Sequence, residues 1–344
     1  MGGSKNVFAA VKSYSKRGKL LKNTDFQTLA ESRDLDELMT RIKNTSYGES
    51  ISEVQKPFTS QGIENALRGH LADIHYSIAK TAGESKVLDA YFSKFLISNL
   101  KQILKGKVLG KSQEEIEIHI NFRAEELTKQ RDVVVKALVA GDLEEAVASL
   151  NQAEFGEEIS KAAALYEDKK NIQIFDTYFD KILFTRLVKA LKSGGIDAGK
   201  IIGMDIDFYN ILSVIRGKFW GLDDAQIQDL IIVQCPVAKD LLTRMMSAGT
   251  IKDAFNELSN TKYKNLIPSV ENELDAISEF ERAFELAIYQ ASLNSFTKMF
   301  SFATTIGITK LTAFEVRNLA AIAYAVEQKI PTETTMSKLI LMTE

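Results

Sequence analysis

Three short segments of the chain share one pattern of apolar and polar positions. In each segment, apolar residues recur at spacings of three, four and seven, which places them on one face of an α-helix. The segments begin at Leu35, Leu143 and Ile251, so consecutive segments start 108 residues apart. Their apolar positions are Leu35, Leu38, Met39 and Ile42; Leu143, Ala146, Val147 and Leu150; and Ile251, Ala254, Phe255 and Leu258. The pattern predicts three equivalent amphipathic helices.

The residues around each segment repeat as well. A short polar residue precedes each helix, and an acidic residue follows it three positions later. Such pairs satisfy free backbone N–H groups and favour the positive end of a helix. An aromatic residue and then an isoleucine follow each segment. These residues are Asp34, Glu37, Tyr47 and Ile51; Asp142, Glu145, Phe155 and Ile159; and Thr250, Asp253, Tyr263 and Ile267. We therefore predict three helical repeat units, at 1–110, 111–222 and 223–344.

A second element recurs at nearly the same interval. Asn99, Asn210 and Asn318 each begin a short apolar stretch of helical spacing. The first two stretches end in a shared [KR]-G-K-x-x-G sequence, at 105–110 and 216–221. The third stretch lacks this ending, as expected for the terminal unit of a repeat array.

The rest of the chain also has a predominantly helical pattern. Only 4 prolines interrupt the 344 residues, which favours long helices. We predict an all-α fold with long helices at 63–82, 87–104, 124–150, 156–187, 207–219, 273–300 and 312–328. Residues 112–122 are ambiguous, because Ile116, Ile118 and Ile120 alternate as in a strand while Ser112 and Glu115 form a helix-capping pair. We favour a helix or an irregular segment there.

Composition excludes several classes of protein. The net charge is −3, with no block of basic residues, so a nucleic-acid surface is not expected. No run approaches the roughly 18 apolar residues that span a bilayer, and residues 1–6 show no signal region. The single cysteine, Cys235, excludes an internal disulfide. We expect a cytoplasmic protein that reaches membranes only through a partner.

No residue pattern supports catalysis or a bound cofactor. Residues 194–200 match G-x-x-x-x-G-K, but Ile201 replaces the Ser or Thr that a phosphate-binding loop needs, and the preceding residues have a helical pattern. We interpret them as a turn. His70 and His75 are five residues apart and do not share a helix face, so a metal site is not expected. We therefore predict a non-enzymatic interaction protein without cofactor or metal.

Several segments together resemble the C subunit of archaeal A-type ATP synthases and the related d subunit of eukaryotic V-type ATPases. The opening at 11–21 and the helix and turn at 35–51 look like the start of that family. Residues 210–218 resemble its N-x-x-x-x-x-R-x-K segment, and 314–319 resemble its closing E-[VI]-x-N-[LI] segment. Each motif is weak alone, but their order and threefold repetition make the resemblance specific.

The resemblance implies a funnel-shaped protein of three related helical subdomains around a pseudo-threefold axis. It implies a non-catalytic rotor subunit, present as a monomer in a larger complex on the cytoplasmic face of the membrane. The open end would receive the D and F subunits of the central stalk, and the other end would contact the membrane proteolipid ring. We expect Arg216, Lys218 and Trp220 to face a partner. A helical scaffold without a motor role is the alternative, and the sequence leaves the coupling ion open between protons and sodium.

Overall fold

The structure, a computed structural model, describes residues 2–83, 85–151, 153, 155–192, 199–232 and 239–341, with side chains from residue 6 onward. Within these residues the regular structure is helical throughout, and no strand occurs, so the predicted all-α class is confirmed. The α-helices are α1 (Gly2–Arg17), α2 (Asn23–Ala30), α3 (Leu35–Lys43), α4 (Ser60–Ala82), α5 (Lys86–Phe92), α6 (Lys94–Val108), α7 (Gln113–Glu117), α8 (Arg123–Thr128), α9 (Arg131–Val139), α10 (Leu143–Leu150), α11 (Gly156–Lys169), α12 (Gln173–Lys192), α13 (Gly199–Phe219), α14 (Asp224–Leu230), α15 (Lys239–Ser247), α16 (Ile251–Asn256), α17 (Glu273–Asn294), α18 (Ala303–Glu327) and α19 (Thr332–Lys338).

Three of the helices predicted to be continuous are divided into shorter helices in the structure, so the prediction of their continuity is wrong. The stretch 87–104 is divided at Ser93 into α5 and α6. The stretch 124–150 is divided into α8, α9 and α10, and Lys129 ends α8 in a left-handed conformation with a φ of 60°. The stretch 156–187 is divided in the same way into α11 and α12, because Lys170 ends α11 with a φ of 51°.

The ambiguous residues 112–122 contain the short helix α7. The capping pair of Ser112 and Glu115 is in place at its start. The preference for a helix over a strand in this segment is therefore confirmed.

The three repeated helices begin as predicted. The side chains of Asp34, Asp142 and Thr250 accept hydrogen bonds from the backbone N–H groups three residues later, at 2.9, 2.9 and 3.0 Å. The aromatic residue that follows each helix is buried in all three copies. The repeat therefore describes a shared three-dimensional arrangement as well as a shared sequence.

The three asparagines make the same pair of hydrogen bonds. Each side-chain amide donates to a backbone carbonyl 22 residues later in the chain and accepts from the N–H of that same residue. The donor and acceptor distances are 2.8 and 3.2 Å for Asn99 with Asn121, 3.3 and 2.8 Å for Asn210 with Ile232, and 2.8 and 3.1 Å for Asn318 with Ile340. We call these three arrangements the asparagine clamps. Each fixes the end of a following segment to the middle of a long helix.

The helix ends after the asparagines also share one geometry. A Cβ built on Gly106 or Gly217 would lie 2.5 Å from Ile116 or 2.7 Å from Ile227, so a glycine allows the next helix to approach. Gly110 and Gly221 then end the helices at φ values of 64° and 70°. The third copy keeps this turn with Lys329 at a φ of 55°, although its sequence lacks the motif.

Three apolar cores surround the long helices. We name two of them after the unit whose repeated helix they contain, and we call the core around the first repeated helix the terminal core, because it includes the end of the chain. The second core contains buried residues between 96 and 179. The third core contains residues between 211 and 288 together with Phe314 and Ile340. The terminal core combines residues 26–71 from the start of the chain with residues 316–339 from its end. Each core thus joins an asparagine-bearing helix from one predicted unit to the repeated helix of the next, and the terminal core links the last unit to the first.

A fourth cluster of apolar residues connects these cores. It contains residues from α1, α4, α5, α12, α13 and α18, including Ile78, Leu187, Ile202 and Ile306. Such continuous close packing resists deformation. The three cores are therefore joined into one body.

Candidate functional site

A cavity of about 840 Å³ opens between α12, α13, α17 and α18. Its lining also includes Tyr91 from α5 and Lys94 from the start of α6. All three asparagine-bearing helices, α6, α13 and α18, therefore contribute to its wall. The cavity lies where the three repeated elements converge.

Ion pairs between neighbouring helices line the cavity. Each lining carboxylate that the structure describes contacts a lysine or arginine. The pairs are Lys105 with Asp176 at 2.9 Å, Lys101 with Asp180 at 2.5 Å, Lys310 with Asp205 at 2.6 Å, Arg216 with Glu281 at 2.6 Å, and Arg317 with Glu285 at 2.8 Å. These pairs connect α6 to α12, α13 to α18, and α17 to both α13 and α18.

The two ends of the cavity differ in exposure. The side chains of Asp205 and Lys310 are 6 % and 18 % exposed. Those of Arg216 and Arg317 are 44 % and 49 % exposed. Asp205 and Arg216 are eleven residues apart on α13, a distance of about 16 Å along a helix axis. We call the end at Asp205 the floor and the end at Arg216 the rim.

Two of the three residues predicted to face a partner lie at this rim. Arg216 lines the cavity and pairs with Glu281. Trp220 lines it as well and is 43 % exposed, so its indole is available to a partner instead of being buried in a core. Their binding to a partner stays a prediction.

Lys218 has a different environment. Its ammonium group donates to the backbone carbonyls of Met246 at 2.7 Å and Ala248 at 2.6 Å, at the end of α15. Lys107 makes the equivalent bonds to the carbonyls of Leu138, at 2.8 Å, and Ala140, at the end of α9. A lysine at a helix C-terminus satisfies free carbonyls and complements the negative end of the helix. The lysine of the [KR]-G-K-x-x-G ending therefore has a structural role.

The other candidate residues have structural surroundings. His75 is buried and its Nε2 lies 2.9 Å from the carbonyl oxygen of Thr309. His70 packs against the ring of Tyr47. The glycine-rich turn at 193–198 and Cys235 lie outside the described residues, but the segment before the turn is the helix α12. A phosphate-binding loop would require a strand there.

Comparisons with known proteins agree with this architecture. The family model of the ATP synthase (C/AC39) subunit matches residues 9–338. The A-type ATP synthase C subunit of Methanocaldococcus jannaschii is 27 % identical over 95 % of this chain and 84 % of the relative. The C subunits of Pyrococcus horikoshii and Thermococcus onnurineus are 23 % and 26 % identical over 92 % of the chain and about 85 % of each relative.

The chain belongs to the ATP synthase (C/AC39) subunit family. The family resemblance predicted from the sequence is therefore confirmed. The assignment makes this chain a member of a family of rotary ATP synthase subunits.

Among the described residues, the structure contains neither a helix suited to cross a bilayer nor a cluster of side chains suited to bind a metal ion. No helix among the described residues has both the length and the apolar character needed to cross a bilayer. Within the same residues, no group of three or more His, Cys, Asp or Glu side chains is arranged to hold a metal ion.

Sequence analysis missed the residues of the cavity floor. Lys94 and Asp205 each lie five positions before a clamp asparagine, where the third copy has Ala313. Charged residues within otherwise apolar helical stretches are a usable signal, because burial of a charge requires compensation. In a single sequence, however, nothing indicates which helices face one another.

Proposed function

We propose that this chain is a non-catalytic central-stalk subunit of an A-type or V-type rotary ATP synthase or ATPase. In this role it couples a shaft made of the D and F subunits to the membrane proteolipid ring, for ion transport and for ATP synthesis or hydrolysis. The observation that carries the proposal is the cavity to which all three asparagine-bearing helices contribute and in which an exposed rim leads to a buried floor. The family assignment supplies the complex in which such a cavity has a use.

The dimensions of the cavity suit the end of a helical shaft. An α-helix with side chains is about 10 Å wide, so a cavity of about 840 Å³ holds roughly 11 Å of its length, or about two turns. The rim offers Trp220, Arg216 and Arg317, and tryptophan and arginine are favoured anchors in protein interfaces. We therefore assign the rim residues Arg216 and Trp220, but not Lys218, to the shaft interface.

Rotational coupling also requires a body that does not deform. We propose that the units 1–110, 111–222 and 223–344 arose as repeats and form three related subdomains around a pseudo-threefold axis. The shared clamps, the exchange of helices between cores and the terminal core support this arrangement. Because each core links one unit to the next and the terminal core links the last unit to the first, every unit is held on both sides. An applied torque is therefore resisted at each junction between units.

We further propose that the protein acts on the cytoplasmic face of the membrane as a peripheral subunit. Its attachment would come through the proteolipid ring instead of through the bilayer. A general helical scaffold without a motor role is the competing function. It accounts for the packing but gives no reason for a cavity lined by ion pairs.

Removal of the chain from the complex tests the proposal. The catalytic head should still hydrolyse ATP, while ATP-driven ion uptake into vesicles should be abolished and return on reconstitution with the purified chain. Co-purification of the native chain with the D and F subunits and the proteolipid should accompany coupling. Ion uptake that persists without the chain would exclude the coupling role and favour the scaffold alternative.

A further inference from the structure

The cavity floor holds two lysines and one aspartate. Asp205 from α13 forms an ion pair with Lys310 from α18 at 2.6 Å. Lys94, the first residue of α6, lines the same cavity. Three helices from three repeated elements thus bring two lysines and one aspartate together at the buried end.

Lys94 is distinguished from the other cations of the cavity by its partners. Lys310, Arg216 and Arg317 each pair with a lining carboxylate, and Lys101 and Lys105 pair with Asp180 and Asp176. The Lys94 ammonium instead lies 4.4 Å from the ring centroid of Tyr91 and 5.2 Å from that of Phe95. Among the described residues, no carboxylate lies within ion-pair distance of it. The chain therefore provides the amine of Lys94 with no carboxylate contact.

Electrostatics makes this arrangement costly in the free chain. Burial lowers the pKa of Lys94 well below its ordinary value, and the charge of Lys310 lowers it further, while Asp205 acts in the opposite direction. Asp205 is paired with Lys310, and Lys94 lies beyond ion-pair distance of it. Aromatic faces stabilise an ammonium group less well than a carboxylate does. A carboxylate entering the cavity would remove this imbalance.

We infer that the floor receives a carboxylate at the tip of the central shaft, bound by the Lys94 ammonium. This inference rests on the proposed function, and it adds the chemistry of the contact. The rim residues surround the shaft, while Lys94 recognises the acidic group at its end. The level of Asp205 lies about 16 Å from Arg216 along α13, so roughly 11 Å of shaft helix leaves about 5 Å, which an acidic side chain at the tip can span.

The test compares Lys94→Met with the wild-type chain. Binding of the purified D–F shaft is measured by calorimetry, and the Tm of each free chain is measured separately. We expect Lys94→Met to weaken shaft binding at least tenfold while leaving the Tm unchanged or higher, because methionine removes a buried amine that has no carboxylate contact and keeps the apolar packing. Lys94→Arg should retain most of the affinity. Lys252→Met, on an exposed side chain of α16, serves as the matched control and should bind as wild type does.

The outcomes separate the inference from the function on which it rests. Wild-type affinity in Lys94→Met would overturn the carboxylate contact and leave the shaft interface standing. Failure of the wild-type chain to bind the shaft would overturn the proposed function itself. Should Lys94→Met lower the Tm, a charge exchange decides: Lys94→Glu should regain binding to a shaft whose acidic tip residue is replaced by lysine, and a lack of recovery would overturn the inference.

Discussion

The third core and the second core hold the same aromatic position by different interactions. In the third core, the hydroxyl of Tyr263 donates to Asp207 at 2.5 Å, and both side chains are buried. In the second core, Phe155 occupies the tyrosine position and Leu96 the aspartate position, three residues before the clamp asparagine. The tyrosine hydroxyl and the acidic side chain are thus both present in the third core and both absent from these positions in the second core.

The terminal core follows the third core in this respect. The hydroxyl of Tyr47 donates to Glu315 at 2.6 Å, and Glu315 also accepts from the backbone N–H of Leu21. A buried carboxylate without a donor is costly, as is a buried hydroxyl without an acceptor. The comparison teaches that the repeat keeps the aromatic packing, while the polar pair changes only as a unit.

A second pair of positions changes in the same coordinated way. Gly106 and Gly217 face Ile116 and Ile227, where an added Cβ would lie closer than carbon atoms normally approach. The third copy has Ala325 at the glycine position and Thr335 at the isoleucine position, and both are buried. A larger residue on one helix is accompanied by a smaller one on the next.

The asparagine clamps give the largest expected effect. Asn318→Ala removes two hydrogen bonds and leaves the N–H and carbonyl of Ile340 without their partner in a buried site. We expect a loss of about 2–5 kcal/mol in the free energy of unfolding. Asn99→Ala should cost less, because its bonds are only partly buried. Urea denaturation measures both, and equal small losses would show that the clamps do not hold the cores together.

The tyrosine and acid pair gives the most direct test of coordinated change. Tyr263→Phe should cost about 1–3 kcal/mol, because it removes the hydroxyl donor from the buried Asp207, which keeps its ion pair with Lys262 at 3.0 Å. The double variant Tyr263→Phe, Asp207→Leu reproduces the second core and should recover at least half of that loss. A double-mutant cycle by urea denaturation measures the coupling. Additive losses would contradict the comparison.

The glycine and isoleucine contact should behave in a similar way at a somewhat lower cost. Gly217→Ala places a methyl group 2.7 Å from Ile227, and we expect a loss of about 1–2 kcal/mol from overpacking. Adding Ile227→Thr reproduces the residues of the third copy and should reduce the loss. Thermal unfolding of the two variants and of Ile227→Thr alone provides the measurement. If Gly217→Ala is as stable as wild type, close helix approach is not the reason for the glycine.

The buried acid of the terminal core should make the stability of the chain depend on pH. Burial raises the pKa of Glu315 to about 7, against the hydrogen bonds from Tyr47 and Leu21, which lower it. Between about pH 4.5 and 7 the folded chain therefore binds more protons at this group than the unfolded chain does, so its contribution to stability falls as the pH rises. Glu315→Gln should match wild type near pH 4.5 and exceed it by about 1–2 kcal/mol above pH 7. A difference that does not change with pH would contradict this account. The second core has Leu96 at this position, although burial also raises the pKa of Glu125, beside Asn99, to about 7.

Much of the local structure was accessible from the sequence. The caps, the repeated helices and the positions of the three asparagines follow from side-chain chemistry and spacing within a few residues. The breaks at Lys129 and Lys170 were not accessible, because lysine carries no preference for the positive φ found there. The helices divided at these points were predicted to continue.

The tertiary arrangement was accessible only in part. Equal spacing predicted three related units, but it did not predict that each asparagine-bearing helix packs into the core of the next unit. The cavity residues depend on that exchange, since Lys94, Asp205 and Lys310 come from three different helices. Arg216 and Trp220 were found because they belong to a recurring motif, while the floor residues recur in position but not in type.

Photo-crosslinking in the assembled complex tests the central claim most directly. A benzophenone amino acid replaces Trp220 at the rim in one variant and Leu274, an exposed residue outside the cavity lining, in the control. The account predicts that the rim probe forms a covalent adduct with the D or F polypeptide of the shaft, and that the control probe does not. An adduct of the rim probe with the proteolipid, or no adduct at the rim in a complex that still couples ATP hydrolysis to ion transport, would contradict the claim that this cavity receives the shaft.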